Sequence, residues 1–476
     1  MADQSIEQES LIANQTYKRT SDGEDEELGT SNSELGLRRS LSLVDGISML
    51  VGIIVGSGVF TSPGVVLQDA GSVGLGLTAW IAASFMALCS ALVYAELGAA
   101  IPQAGGNAEY FRIAFGEAWG FAFIWTMFFV LTNGSVAIVA ITFSRYIVAG
   151  FTGVSPLESD VDSDPVVKAV AIGCVAVLTI WNCFGVHLSA KLQNVLSAMK
   201  LLLVSILVVA AISFVWDDSH VLKKNMHKPF KGSDFSGFGV SCVAAMWAFS
   251  GWGDLVFLTE ELKDPARNIP RGTISSMAIV MVIYLLLNVT YLCILPASVV
   301  KTSAVVAIDA TNAALGPWAG SLMSILVSLS ALGAANGIII CGARYLYAAA
   351  RQGQIFKSIG LVGVRSRAPY VAHLLQGTLC TLLLLQSSNF VELISFLGVS
   401  SYLFYGLSAA AHIKLRHDLP DLHRPYTLGF YPYAPLIVIC FSLYLVVSAL
   451  IAQPLPTSLS LGFVVSSFPV YYLFIR

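Results

Sequence analysis

The chain has 476 residues, of which 56% are hydrophobic and only 12% charged, with a formal net charge of −3. A soluble domain carries roughly a quarter charged residues, so this composition excludes an ordinary soluble globule and points to lipid as the surrounding medium. The slightly negative balance excludes nucleic acid as an implied partner.

Residues 1–40 hold the acidic run Gly23–Glu24–Asp25–Glu26–Glu27 and several Ser and Thr, without a long apolar stretch. They read as a disordered cytoplasmic tail, not a signal peptide. Apolar segments of about 20 residues, the length of one bilayer crossing, then recur near 43–68, 74–101, 117–150, 165–184, 192–216 and 235–261. Six more lie near 272–295, 314–349, 370–386, 389–413, 431–452 and 456–475. Lipid offers no partners to an open sheet edge, so each is expected as a helix. The expectation is an all-α membrane protein with twelve transmembrane helices in one domain, 41–476.

Basic residues set the orientation. Loops on the same side as the N-terminus carry most of them, including Arg38, Arg39, Lys263, Arg267, Arg271, Lys414, Arg416 and Arg424. Both termini are expected in the cytoplasm. The outer loop 217–234, with Lys223, Lys224, Lys228 and Lys231, is an exception and reads as a solvated loop. All eight cysteines fall in apolar spans, none with CxxC spacing, so neither a disulfide framework nor a metal site is implied. No cofactor is expected.

Two spans are interrupted. The first reads Gly52–Ile53–Ile54–Val55–Gly56–Ser57–Gly58–Val59–Phe60, and the sixth Trp247–Ala248–Phe249–Ser250–Gly251–Trp252–Gly253–Asp254. Glycine costs about 1 kcal/mol inside a helix, so these stretches are expected to unwind. Spans one to five (about 43–216) and six to ten (about 235–413) form two sets of five, and an odd number of crossings inverts the second. Broken helices at matching places of inverted five-helix repeats point to a carrier's central site. The spans near 431–475 are then two extra helices. A close-packing role for the glycines is the alternative.

An unwound membrane helix exposes backbone groups that need polar partners. The N–H groups around Ser57, Gly58 and Val59 suit a carboxylate. Carbonyls near Ile54 and over Trp247–Ser250 suit an ammonium. Together they match an α-amino acid backbone, with glycine keeping the approach open. Trp247 is a candidate gate; Phe249 and Trp252 are weaker ones, and packing is the alternative for all three. Asp254 either attracts a cationic side chain or caps the second half of span six, and the cap is preferred. Neutral substrates are then favoured. Lys200, inside span five, either places an ammonium where a sodium ion would sit or snorkels inward. Glu96 reads as a structural contact.

The run Val51–Phe60 with Pro63–Gly64–Val65, and Tyr94–Ala95–Glu96–Leu97–Gly98 followed by Ile101–Gly106, resemble the amino acid–polyamine–organocation superfamily. Thr259–Pro270, Asn336–Gly337, Arg344, Arg351–Gln352–Gly353 and Leu415–Arg416–His417 through Arg424–Pro425 resemble its L-type amino acid transporter group, the light chains of heteromeric carriers. The resemblance covers residues 38–475. It implies sodium-independent transport, often as exchange. By position in the motifs, Ser57 and Gly58 would meet the carboxylate, with Gly56 and Gly251 beside them. Ile54, Trp247 and Ser250 would meet the amine. Ser135 and Ser401 would lie near the substrate side chain, Trp247 would be the gate, and Lys200 would replace an ion. Covalently paired light chains carry a cysteine in the loop after span three. Here Gly150–Asp160 has none, which puts a disulfide-linked single-span glycoprotein heavy chain in doubt. Serine at position 250 leans toward neutral substrates.

The main expectation is a plasma-membrane carrier of neutral L-amino acids. A cationic amino acid or polyamine carrier is one alternative, and a non-transporting amino acid sensor another. No HExxH, metal-spaced cluster or nucleophile elbow supports an enzyme.

Overall fold

Helices occupy every apolar stretch, and local chemistry sets their ends. The computed structural model describes residues 40–475 apart from 104, 153–163, 304, 364–365 and 387–389. The expectations for the acidic tail and for most of the loop after the third span lie outside the described residues. Helix α1 (Leu43–Ile54) begins at a capping box. The Ser42 hydroxyl accepts from the Asp45 N–H, and the Asp45 carboxylate accepts from the Ser42 N–H at 2.9 Å. The chain then bends by 43° into α2 (Gly58–Ala70). Gly71, with φ +72°, stops α2, and the Ser72 hydroxyl caps α3 (Val73–Ala100).

Short α4 (Asn107–Phe115) leads to the third span: α5 (Glu117–Thr126), a π turn (Met127–Leu131) and α6 (Thr132–Thr152). Asp164 caps α7 (Pro165–Cys183), where proline sits in the first turn and so removes no needed donor. Next come α8 (Val186–Asp217), α9 (His220–Met226) and α10 (Phe238–Ala248), which ends at the second interruption. The second half holds α11 (Pro265–Ile294), α12 (Ala297–Thr302), α13 (Val306–Leu315), α14 (Pro317–Arg351), α15 (Tyr370–Gln386), α16 (Phe390–Asp418), α17 (Tyr433–Ala452) and α18 (Pro454–Val470).

Among the described residues, eight helices are long and apolar enough to cross a bilayer, or nine if the bent α1–α2 pair is one span. The sixth expected span is cut short by its interruption, and α15 has 17 residues. Bare apolar side chains face outward along the spans, among them Ile81, Val177, Ile180, Ile212 and Ile451. In water they would form a large exposed patch; in lipid they are at home, and the chain is an integral membrane protein.

Polar residues are turned inward and tie spans together. The Asn336 side chain donates to Gln193 at 2.8 Å and accepts from Asn182 at 3.0 Å, joining α14, α8 and α7. At one end of the bundle Arg344 and Glu261 pair at 2.9 Å, almost fully buried. Glu96 accepts from Arg416 at 2.6 and 2.7 Å and from the Leu428 N–H at 2.7 Å, which bears out its reading as a structural contact. Among the described residues the only β-type pairing is between Leu41 and Leu262: the Leu41 N–H donates to Glu261, and the Lys263 N–H donates back to Leu41. The loop 217–234 is more than a solvated connection. It contains α9, and the buried Asn225 amide there donates to the carbonyls of Leu292 and Leu295.

Candidate functional site

The two interruptions meet. A Cβ built on Gly58 would lie 2.7 Å from the Ala248 Cα, so only glycine lets α2 and α10 touch here. Beside the contact is a cavity of about 150 Å³. A space of this size holds a molecule such as benzene, and so an amino acid side chain.

Ile54, Gly56, Ser57 and Gly58 line it from the first span, and Trp247, Ser250 and Gly251 from the sixth. Ser135 reaches it from α6 and Ser401 from α16. All nine residues singled out from sequence as substrate contacts thus face one space. Lys200 does not line it. The residue is 1% exposed and its ammonium donates to the Gly52 carbonyl in α1, so it does not snorkel into water.

Backbone groups at the breaks carry the polarity. The N–H groups of Ser57, Gly58 and Val59 find no carbonyl among the described residues, as the first turn of α2 requires. The Ser57 hydroxyl caps nothing and faces the cavity. Across from this donor end lie carbonyls. Ile54 was expected to offer its carbonyl to an amine, but that oxygen already accepts from the Gly56 N–H at 2.7 Å and the Tyr284 hydroxyl at 2.7 Å. The Trp247 carbonyl accepts from the Ser250 N–H at 3.1 Å. Among the described residues, the carbonyls of Ile53 and Ser250 accept nothing.

Sequence reasoning missed Tyr284. It lies on α11, and its hydroxyl is also 2.7 Å from the Ala248 carbonyl. One buried hydroxyl therefore serves the carbonyl ends of both broken helices. A tyrosine inside an apolar run carries no sign of this in sequence, because its partners lie far away along the chain.

The aromatics divide by role. Trp247 is half-buried and forms cavity wall. Phe249 is fully buried, its ring 4.7 Å from that of Tyr284 and 6.2 Å from that of Trp80. Trp252 is buried with its ring 4.5 Å from Tyr405. These two are packing residues. Replacing Trp247 by alanine is expected to slow transport more than it lowers protein level; equal uptake per folded molecule would refute a gate.

Asp254 corrects an expectation. It was read as a cap, yet Gly253 occupies the cap position and the chain continues as a 3₁₀ turn, Asp254–Leu258, without a side-chain cap bond. The Asp254 carboxylate instead lines the cavity.

Two interrupted helices holding unpaired donors and acceptors around a shared cavity inside an integral membrane protein define a carrier-type site, not an enzyme's. The family model for amino acid permeases matches residues 41–475, and the chain belongs to that family. It is 33% identical to the Homo sapiens large neutral amino acids transporter small subunit 2, over 94% of this chain and 82% of that protein. It is 31% identical to the Mus musculus b(0,+)-type amino acid transporter 1, over 95% and 91%. With the Homo sapiens cystine/glutamate transporter the identity is 32% over 92% and 86%. These relatives bear out the L-type resemblance read from the motifs.

Proposed function

We propose that the protein carries L-amino acids across the bilayer without sodium, by exchange or facilitated passage with alternating access. The observation that supports this best is the pairing of open N–H groups at Ser57–Val59 with open carbonyls at Ile53 and Ser250 in one cavity. The donor end takes the α-carboxylate, assisted by the Ser57 hydroxyl, and the carbonyl end takes the α-ammonium. Ile54 contributes its side chain and backbone shape, Gly56 and Gly251 the open approach, and Ser135 and Ser401 contact with the substrate side chain. Trp247 closes the site. Lys200 holds the Gly52 carbonyl with a built-in cation, which removes the need for a bound one.

The architecture that goes with this reading is twelve spans: two inverted repeats over about 43–216 and 235–413, and extra helices over about 431–475. Residues 1–40 form a cytoplasmic tail, and both termini face the cytoplasm of a plasma-membrane protein. The first relative is named a small subunit, which suits a single-span glycoprotein partner. Because Gly150–Asp160 has no cysteine, the protein either acts alone or holds such a partner without a disulfide. Ser250 supports a neutral substrate, whereas the uncapped Asp254 removes the other support for that reading.

The test is uptake of labelled amino acid into proteoliposomes of the purified chain in sodium-free buffer. Leucine and arginine are compared, with and without the same amino acid inside. Uptake only into loaded vesicles is expected for an exchanger, and uptake into both for facilitated passage. Binding without flux of either amino acid would instead make the protein a sensor.

A further inference from the structure

We infer that the cavity is built for basic amino acids, with the Asp254 carboxylate as counter-charge to a distal ammonium or guanidinium. The inference deepens the carrier reading and rests on it only in taking the ligand to be an amino acid.

Charge comes first. Among the described residues lining the cavity there is no Lys, Arg or His, and Asp254 is the only carboxylate. Its side chain makes no hydrogen bond or ion pair among the described residues. Arg344, on α14, is paired with Glu261 at 2.9 Å. A neutral zwitterion brings no net charge, so it would fill the cavity and leave the Asp254 carboxylate without a counter-charge. An unpaired buried charge is costly. A basic amino acid brings one extra positive charge and balances it.

Asn107 also lines the cavity. Its amide donates to the Tyr94 hydroxyl at 2.7 Å, so its oxygen points away from that bond and has no partner. Tyr94 cannot supply the missing proton. The Ser408 hydroxyl donates to the Phe404 carbonyl at 2.9 Å, so Tyr94 must donate its own proton to Ser408, 3.0 Å away. The Tyr94 ring packs against Gly253, beside Asp254, and lies within electrostatic reach of its carboxylate. Two acceptors without donors, Asp254 and the Asn107 oxygen, therefore flank one tyrosine. An ammonium has three N–H donors and a guanidinium five, and neither accepts. This part of the cavity wants donors and offers acceptors. The open N–H groups at Ser57–Val59 further require a carboxylate on the same ligand. That requirement selects amino acids over polyamines.

The test is calorimetric titration of the purified full chain with L-arginine, L-lysine, L-citrulline, L-leucine and agmatine. Citrulline has nearly the shape of arginine without its charge, and agmatine is arginine without its carboxylate. Arginine is expected to bind roughly a hundredfold more tightly than citrulline, the loss typical of breaking a desolvated charge pair. Agmatine should bind far more weakly than arginine. Asp254→Asn should bring the affinity for arginine down to that for citrulline. Asp254→Glu, which keeps the charge, should retain the preference if the asparagine variant folds poorly. Equal binding of arginine and citrulline to the unaltered protein would overturn the inference. Leucine binding that strengthens on acidification, with arginine inactive, would also overturn it, since Asp254 would then take up a proton. Failure of the carrier reading looks different: arginine binds selectively but labelled arginine does not cross proteoliposomes.

Discussion

Gly58→Ala should reduce uptake to background. The added methyl would sit 2.7 Å from the Ala248 Cα and 3.0 Å from its Cβ, closer than carbon atoms tolerate. The backbone of α10 cannot yield as a flexible side chain would, so α2 and α10 must separate. Overpacking of this kind typically costs about 1–3 kcal/mol. Here the displacement falls on the N–H groups proposed to bind the carboxylate, so function should suffer beyond stability. The measurement pairs substrate affinity with thermal unfolding of the detergent-solubilised protein. A variant that melts a few degrees lower and binds nothing is the expected result. Unchanged affinity at any melting temperature would remove Gly58 from the site.

Tyr284→Phe is the second large effect. It deletes one oxygen and leaves the Ala248 carbonyl without a donor among the described residues, while the Ile54 carbonyl keeps only the Gly56 N–H. An unsatisfied buried acceptor costs about 1–3 kcal/mol. The loss falls where the two broken helices meet, so their relative position should loosen. Transport is expected to drop at least about tenfold, which corresponds to 1.4 kcal/mol. Phenylalanine preserves the ring packing with Phe249 and Trp80, so expression should stay near normal. Full transport by this variant would show that the hydroxyl does not set the geometry of the breaks.

How much of this was legible in the sequence depended on whether the deciding partner was local. The breaks were readable because Gly56–Ser57–Gly58 and Ser250–Gly251 stand in otherwise apolar runs. The nine cavity residues followed from those breaks and from the motifs. Lys200 could be placed in span five but not in depth, since two opposite readings fit one lysine inside an apolar span. Its contact with Gly52, on another span, decides the depth. The occupied Ile54 carbonyl was not readable, because Tyr284 comes from a helix 230 positions later. Asp254 was misread for a local reason. The cap rule assumes that the residue precedes an α-helical first turn, whereas here it opens a 3₁₀ turn and Gly253 precedes it. Asn107 was passed over because a lone asparagine after two glycines looks like loop chemistry.

The pairing of Leu41 with Leu262 bears on how such a molecule can move. It ties the start of the first broken span to the chain just past the sixth. Farther along, Tyr284 and the Gly58–Ala248 contact join the same two spans again. A pair of beams pinned at two levels cannot scissor; it can only swing as one lever. The 43° bend at Val55–Ser57 is then a fixed saddle, and the pivot must lie where this lever bears on its neighbours. On the proposed carrier reading, the cradle keeps its shape while the surrounding helices decide which side of the membrane it faces.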